Sequence, residues 1–217
     1  MPASVLFILS FVRMPAGSEL TAFLIVVCFA AGLNVYATII LLGLFSHAGI
    51  LSLPPGLHPM ENWYVMGVCG ILFLVEFFGD KIPVFDILWN AMHTFVRIPV
   101  AGLITYAATP QLPEWERLLA TALGATIALA SHGGKTAARA AVAHSPEPFS
   151  NIGLSLGEDA MVALLLWYAV RHPYAAAGWA AVALIGIAIM ARLVVRAMRN
   201  LFDDTETTLA KASSTAH

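Results

Sequence analysis

Residues 118–130 read LLATALGATIALA and continue directly into SHGGKTAAR at residues 131–139, so an apolar run passes into a polar and cationic one. No proline interrupts the run, which predicts one continuous helix of the length needed to cross a bilayer. Lys135 and Arg139 lie one helical turn apart, where they repel each other unless an anion lies between them. The stretch therefore predicts a membrane helix that places two cationic side chains in the interior of the protein.

The composition of the whole chain agrees with a membrane protein. Of its 217 residues 59% are hydrophobic and 11% are charged, against about 25% charged in soluble domains. A mean hydropathy of +0.82 excludes a soluble enzyme domain, and the net charge of −2 provides no basic surface for nucleic acid. Cys28 and Cys69 both lie within apolar runs, so they predict neither a disulfide framework nor a zinc site.

Six apolar segments have roughly the length of a membrane span, and prolines separate most of them. The predicted fold is all-α: a single transmembrane domain over residues 19–201, preceded by an interfacial segment (1–18) and followed by a disordered tail (202–217). The predicted spans cover residues 20–44, 63–79, 82–108, 118–142, 154–170 and 174–195.

The distribution of lysine and arginine predicts the orientation in the membrane. With the N-terminus inside, eight of the eleven lie in inner segments and two in outer loops, and Arg97 is left within the third span. Inner loops carry the excess of positive charge, so both termini are expected in the cytoplasm. The inner set is Arg13, Lys81, Lys135, Arg139, Arg192, Arg196, Arg199 and Lys211, and the outer pair is Arg117 and Arg171.

The two halves of the chain, about 20–108 and 114–200, can be aligned on each other. Residues 31–38 (AGLNVYAT) align with 132–139 (HGGKTAAR) at an offset of 101, and Pro83 aligns with Pro173 at an offset of 90. Three spans in each half would insert the second copy upside down, which is the inverted-repeat plan of many secondary transporters. Chance similarity between glycine- and alanine-rich helices is the alternative.

Polar residues of the third span share one helix face. Asp86, Asn90, His93 and Arg97 are spaced by four, three and four residues, which places them in a stripe about 60° wide. An arginine at the centre of a membrane helix costs about 2.5–3.5 kcal/mol unless it meets a partner or water. The stripe is therefore predicted to line a polar interior path. Alternatively, Asp86 lies at the headgroups and Arg97 only bonds a neighbouring helix.

Four acidic residues are candidates for neutralising Lys135 and Arg139. Glu76 and Asp80 share a face near the Gly79 and Pro83 break, a setting in which transporters build ion sites. Asp80 also fits an ordinary helix cap, whereas Glu76 lies too deep for that role. The two acids of the second half, at the start of the fifth span, are Glu158 and Asp159.

The repeat leads to a geometric prediction. The middle of the first span, at Asn34 and Thr38, is expected to cross the fourth span at Lys135 and Arg139 near the bilayer midplane. At least one acidic oxygen is then expected within about 4 Å of a Lys135 or Arg139 nitrogen. Arg97 and the rest of its stripe are expected to face the interior.

At these residues the chain resembles a family of small bacterial integral membrane proteins catalogued as a domain of unknown function. The resemblance spans about residues 30–195, and the block at residues 80–83 (DKIP) is its most specific part. It implies the membrane fold and the positions of the site, but no reaction. The matching blocks are residues 32–38, 53–57, Glu76 with 80–83, Asp86, Trp89, His132, Gly134, Lys135, Arg139, Asn151, Ser155, Glu158 and Asp159.

Two functional hypotheses follow. The first is a small secondary transporter or ion-conducting protein, in which the acids bind a cation or proton and Lys135 and Arg139 gate or neutralise them. The second is a membrane scaffold whose charges only hold helices together. An enzyme is not expected, because neither a zinc-ligand spacing nor a nucleophile motif is present, and no cofactor is implied. The expected partners are the lipid bilayer and a small ion or solute, and a homo-oligomer is compatible with the sequence.

Overall fold

The computed structural model describes residues 17–79, 83–142 and 148–214, without the side chains of 83–88, 90, 140–142, 148–152, 198 and 200–214. The regular elements in these ranges are seven α-helices and one short 3-10 helix, which confirms the all-α class. The α-helices are α1 (Ser18–Leu33), α2 (Val35–His47), α3 (Trp63–Gly79), α4 (Pro83–Ala108), α5 (Glu114–Val142), α6 (Pro148–Arg171) and α7 (Pro173–Ser214), and the 3-10 helix is Pro55–Glu61.

The first predicted span is not one helix. It is broken at Asn34, whose backbone is extended (φ −151°, ψ 101°), into α1 and α2. The Asn34 side chain accepts a hydrogen bond from the backbone N–H of Ala37, so it caps the start of α2. Asparagine favours such local bonds over a helix interior, which explains a break in a segment without proline.

Helix α1 forms the centre of the molecule and packs against α4, α5, α6 and α7. Its crossing with α5 is close because Gly32 has no side chain: a Cβ there would overlap the Ala128 carbonyl oxygen and the Ser131 hydroxyl. Small residues at such crossings let helix backbones approach each other in membranes. The crossing predicted between residues around Asn34 and Lys135 is therefore present.

The outer surface is apolar and part of the interior is polar, the reverse of a soluble protein. Tyr64, Phe95 and Leu164 are 87%, 83% and 66% exposed, while Glu76 and Arg97 are fully buried. An extended apolar surface of this kind needs lipid or another protein to cover it. The arrangement is typical of a membrane protein.

Length and hydropathy identify fewer spans than the six predicted from sequence. Among the described residues, 153–171 and 173–197 are long and apolar enough to cross a membrane, and a third span is reached if residues 55–61 and 63–79, bent by 63°, count as one. The break at Asn34 leaves α1 and α2 as short apolar helices, and polar residues such as His93 and Arg97 lower the hydropathy of α4.

The two ends of the chain differ in what the structure describes. The predicted interfacial segment lies outside the described residues, apart from 17 and 18. Helix α7 continues to Ser214, so most of the tail predicted to be disordered is helical. Residues 201–212 contain neither proline nor glycine, and their leucine, alanine, glutamate and lysine residues favour a helix.

Candidate functional site

A buried ion pair joins α3 to α4. One terminal nitrogen of Arg97, Nη2, lies 2.5 Å from Oε1 of Glu76, and both side chains are fully buried. The same oxygen accepts a hydrogen bond from the Lys135 ammonium at 3.2 Å. Glu76 therefore lies between two cations, as a carboxylate must when no water screens it.

A second ion pair joins α5 to α6. Arg139 Nη2 lies 2.6 Å from Oε2 of Glu158, and Lys135 Nζ lies 3.3 Å from the same oxygen. Lys135 thus bridges the two pairs, and the five side chains form a row of alternating charge, called here the charge ladder. In order, the charge ladder is Arg97, Glu76, Lys135, Glu158 and Arg139.

The broken helix supplies a third oxygen to Lys135. In an unbroken helix the Ala37 N–H would bond to the Leu33 carbonyl, but here it donates to the Asn34 side chain at 3.0 Å. The Leu33 carbonyl instead accepts a hydrogen bond from Lys135 Nζ, also at 3.0 Å. The carbonyl lies at the C-terminal, electronegative end of α1, which favours a cation there.

Two polar contacts orient the side chains at the Arg97 end of the charge ladder. Arg97 Nη1 lies 2.8 Å from Nδ1 of His132, and Nε2 of the same ring lies 2.8 Å from the Thr94 hydroxyl. Because an arginine only donates, His132 Nδ1 accepts and therefore carries no proton. His132 is then neutral in this structure, and its Nε2–H donates to Thr94.

A second histidine, His93, carries its proton on the other ring nitrogen, Nδ1. His93 Nδ1 donates to the Trp89 carbonyl at 2.8 Å, and its Nε2 lies 2.7 Å from the Tyr36 hydroxyl. In neutral His93 the second nitrogen is an acceptor, so Tyr36 donates to it. This contact ties α2, just after the break, to α4.

Asn34 and Thr38 lie next to the Leu33 carbonyl that binds Lys135, and both side chains are buried. The Asn34 amide nitrogen donates to Oδ1 of Asp159 at 3.0 Å, and the Thr38 hydroxyl donates to the Asn34 carbonyl at 2.8 Å. Asp159 is half-buried. Counted with the charge ladder, its carboxylate brings the six ionisable side chains to three positive and three negative charges.

The structure brings together most of the residues that the sequence singled out. An acidic oxygen lies within 4 Å of Lys135 or Arg139 as predicted, since Glu76 contacts Lys135 and Glu158 contacts both cations. Arg97 points inward as predicted. Asp80 lies outside the described residues, as do the side chains of Asp86 and Asn90. In the part of the chain that is described, no group of three or more His, Cys, Asp or Glu residues is arranged to hold a metal ion.

Four contributors were not predicted as site residues: the Leu33 carbonyl, Tyr36, Thr94 and His132. A backbone carbonyl becomes available only through the break at Asn34, which hydropathy does not reveal. His132 belongs to a matching block of the family resemblance but was given no role, although it lies three residues before Lys135 on the polar part of α5. Tyr36 lies in the matching block 32–38 but was given no role, whereas Thr94 is an ordinary residue of a membrane helix and gives no signal in the sequence.

A comparison with known families identifies the family of the chain. Residues 9–193 match the model of a family described as Domain of unknown function (DUF4126). No curated protein and no solved structure matches the chain. The match covers most of the chain and both halves of the charge ladder, and it confirms the resemblance to an uncharacterised family. The chain belongs to the DUF4126 family.

Proposed function

We propose that the chain is a small membrane transporter or ion-conducting protein, and that the charge ladder is its cation or proton site. The observation that carries the proposal is the position of Lys135, which is held by two buried carboxylates and by a backbone carbonyl at a broken helix. Buried ionisable groups beside broken helices mark substrate and ion sites in membrane transporters. Glu76 and Glu158 bind the cation or proton, and Lys135 and Arg139 gate or neutralise them.

The proposal includes the six-span topology with two inverted repeats and both termini in the cytoplasm of a bacterial inner membrane. The crossing of α1 with α5 supports it, because Gly32 approaches Ala128 and Ser131, which lie five and two residues before its aligned equivalent, Gly133. In inverted-repeat transporters such equivalent helices meet at the substrate site. Orientation is tested by labelling cysteines placed singly in the predicted loops with a membrane-impermeant thiol reagent, in a variant without Cys28 and Cys69.

The scaffold hypothesis has one observation in its favour. Only 6% of residues in the apolar window of α7 are buried within the chain, so this helix has most of its surface available to another protein. Lipid would cover the same surface equally well. The scaffold hypothesis predicts one stoichiometric partner in a pulldown from native membranes, and it predicts that neutralising Glu76 lowers the amount of protein without changing any flux.

Transport is measured with the purified full chain in liposomes, under gradients of protons, alkali cations and divalent cations. E76Q and E158Q each remove one negative charge from the charge ladder. We expect flux to fall about tenfold or more in each variant, because one charged hydrogen bond is worth roughly 1.5–3 kcal/mol.

E114Q is the matched control, since Glu114 is an exposed carboxylate on α5 that accepts a hydrogen bond only from Tyr106 among the contacts described here. Its flux is expected to equal that of the unmodified protein. Absence of flux under every gradient, with the protein shown to be folded, would contradict the proposed function. Equal loss in E114Q and E76Q would contradict the assigned site.

A further inference from the structure

The Lys135 ammonium is held in the way that a bound cation is held. Its nitrogen lies 3.0 Å from the Leu33 carbonyl oxygen, 3.2 Å from Glu76 Oε1 and 3.3 Å from Glu158 Oε2. Three oxygens from three different helices therefore converge on one positive charge, and one of them belongs to the C-terminal end of a half-helix. Unwound carbonyls and half-helix C-termini are the groups that coordinate sodium in transporters with broken helices.

One buried oxygen beside this position has no assigned contact. Oε2 of Glu76 is inaccessible to solvent and lacks a hydrogen-bond partner among the described residues. A buried carboxylate oxygen left unsatisfied costs free energy, so such a group in a folded protein calls for a ligand or another function. It would be a fourth oxygen for an ion that lies against Glu76.

Charge balance selects a monovalent ion. Glu76 is already paired with Arg97 and Glu158 with Arg139, so these four side chains carry no net charge. The Lys135 ammonium adds one positive charge, which the third carboxylate of the site, Asp159, balances, and a single monovalent cation in place of the ammonium keeps the site neutral. A divalent ion would leave an additional positive charge buried and uncompensated, which is costly in a medium of low dielectric constant.

We propose that Glu76, Glu158 and the Leu33 carbonyl form a binding site for a monovalent cation, sodium or potassium in class, whose place the Lys135 ammonium takes in this structure. The ammonium sits at the end of a flexible four-carbon chain, so it can withdraw when an external cation enters. This inference rests on the proposed function and names the substrate class of that same site.

The test uses K135M, which keeps an unbranched apolar side chain and removes the ammonium group that lies between the three oxygens. The melting temperature of the purified full chain is measured in sodium, potassium and choline chloride at matched ionic strength. A ligand that binds only the folded state raises its stability, so we expect sodium or potassium to raise the melting temperature of K135M by about 5–10 °C over choline. In K135M/E158Q, which lacks one ligand, this shift is expected to disappear.

R196M is the matched control, because Arg196 is an exposed cation on α7 whose removal creates no oxygen-lined vacancy. Its melting temperature is expected to be the same in all three salts. Equal melting of K135M in all three salts would overturn the proposal, and so would a larger shift with magnesium chloride than with either monovalent salt.

Folding and function are separated from binding by two further readouts. If K135M is recovered only in sodium or potassium buffers, the cation rescues the fold and the proposal is supported. If K135M is lost in every salt while K135R is recovered, the proposal is overturned, because a cation that fits the site should replace the ammonium. Cation-dependent melting of K135M without flux by the unmodified protein would contradict the proposed transport and support the cation site. Flux by the unmodified protein without cation-dependent melting of K135M would contradict the cation site and support transport.

Discussion

Residues 31–38 and 132–139, which align in the two halves, adopt different backbone structures. The first stretch is broken at Asn34, where α1 ends and α2 begins, whereas the second lies within the continuous helix α5. At the aligned positions, Asn34 corresponds to Lys135 and Thr38 to Arg139. The stretch with neutral polar residues is the one that breaks, and the stretch with cations remains helical.

The difference assigns complementary roles to the two stretches. Asn34 can cap a new helix with its own side chain, and the break leaves the Leu33 carbonyl available. Lysine cannot cap a helix N-terminus, because its ammonium only donates, so α5 continues and projects Lys135 onto that carbonyl. One half therefore supplies an acceptor from its backbone and the other half supplies the donor.

The largest expected effect comes from the charged stretch. R139M removes the partner of Glu158 at 2.6 Å and leaves a buried carboxylate held only by Lys135 among its described ion pairs. Breaking a buried pair on one side costs about 3–5 kcal/mol, which we expect to lower the melting temperature by on the order of 10 °C.

Two further variants determine whether this loss is electrostatic. In R139M/E158Q the unpaired charge is gone, so most of the lost melting temperature is expected to return. T38V changes the aligned position of the uncharged stretch and removes one hydroxyl hydrogen bond, at about 1 kcal/mol. A loss in T38V as large as that in R139M would contradict the distinction between the two stretches.

The next effect tests the crossing between the two stretches. Gly32 and Gly133 are aligned, yet a Cβ at Gly32 would overlap α5, whereas one at Gly133 meets nothing within 4 Å. G32A forces the helices apart and is expected to cost about 1–3 kcal/mol. G133A is expected to be neutral or stabilising by about 0.5–1 kcal/mol, because alanine favours a helix over glycine. Thermal melting of both variants in detergent would contradict the crossing if G32A were as stable as G133A.

The sequence predicted the charged members of the site better than it predicted the backbone. Burial in an apolar protein leaves few ways to neutralise Lys135 and Arg139, so pairing with at least one of four candidate acids could be inferred from charge alone, but not which of the four would pair. The same reasoning placed Arg97 in the interior. These inferences needed only the knowledge that the surroundings are apolar.

The break at Asn34 could not be predicted, because hydropathy treats residues 20–44 as one span. A single asparagine is tolerated in many membrane helices, and whether it bends the chain depends on contacts made by distant residues. Here Asp159 accepts from its amide and Lys135 satisfies the displaced carbonyl. Both partners lie more than 100 positions away along the chain, so no local pattern reveals them.

The smallest effect concerns Asn34 itself and the reason for the break. N34A removes the cap on the Ala37 N–H and the hydrogen bond to Asp159, and the loss of a cap costs about 0.5–2 kcal/mol. Part of this cost is recovered, because alanine favours a helix and lets the Ala37 N–H return to the Leu33 carbonyl. The melting temperature is therefore expected to fall by only a few degrees, on the order of 2–4 °C for each kcal/mol lost. N34S keeps a capping oxygen for the Ala37 N–H without adding a charge beside Asp159, so it is the matched control for the break. If α1 and α2 join in N34A, Lys135 loses its carbonyl ligand, so flux in liposomes is expected to fall more in N34A than its small loss of stability explains. Flux in N34A equal to that of the unmodified protein would show that the charge ladder works without the broken helix.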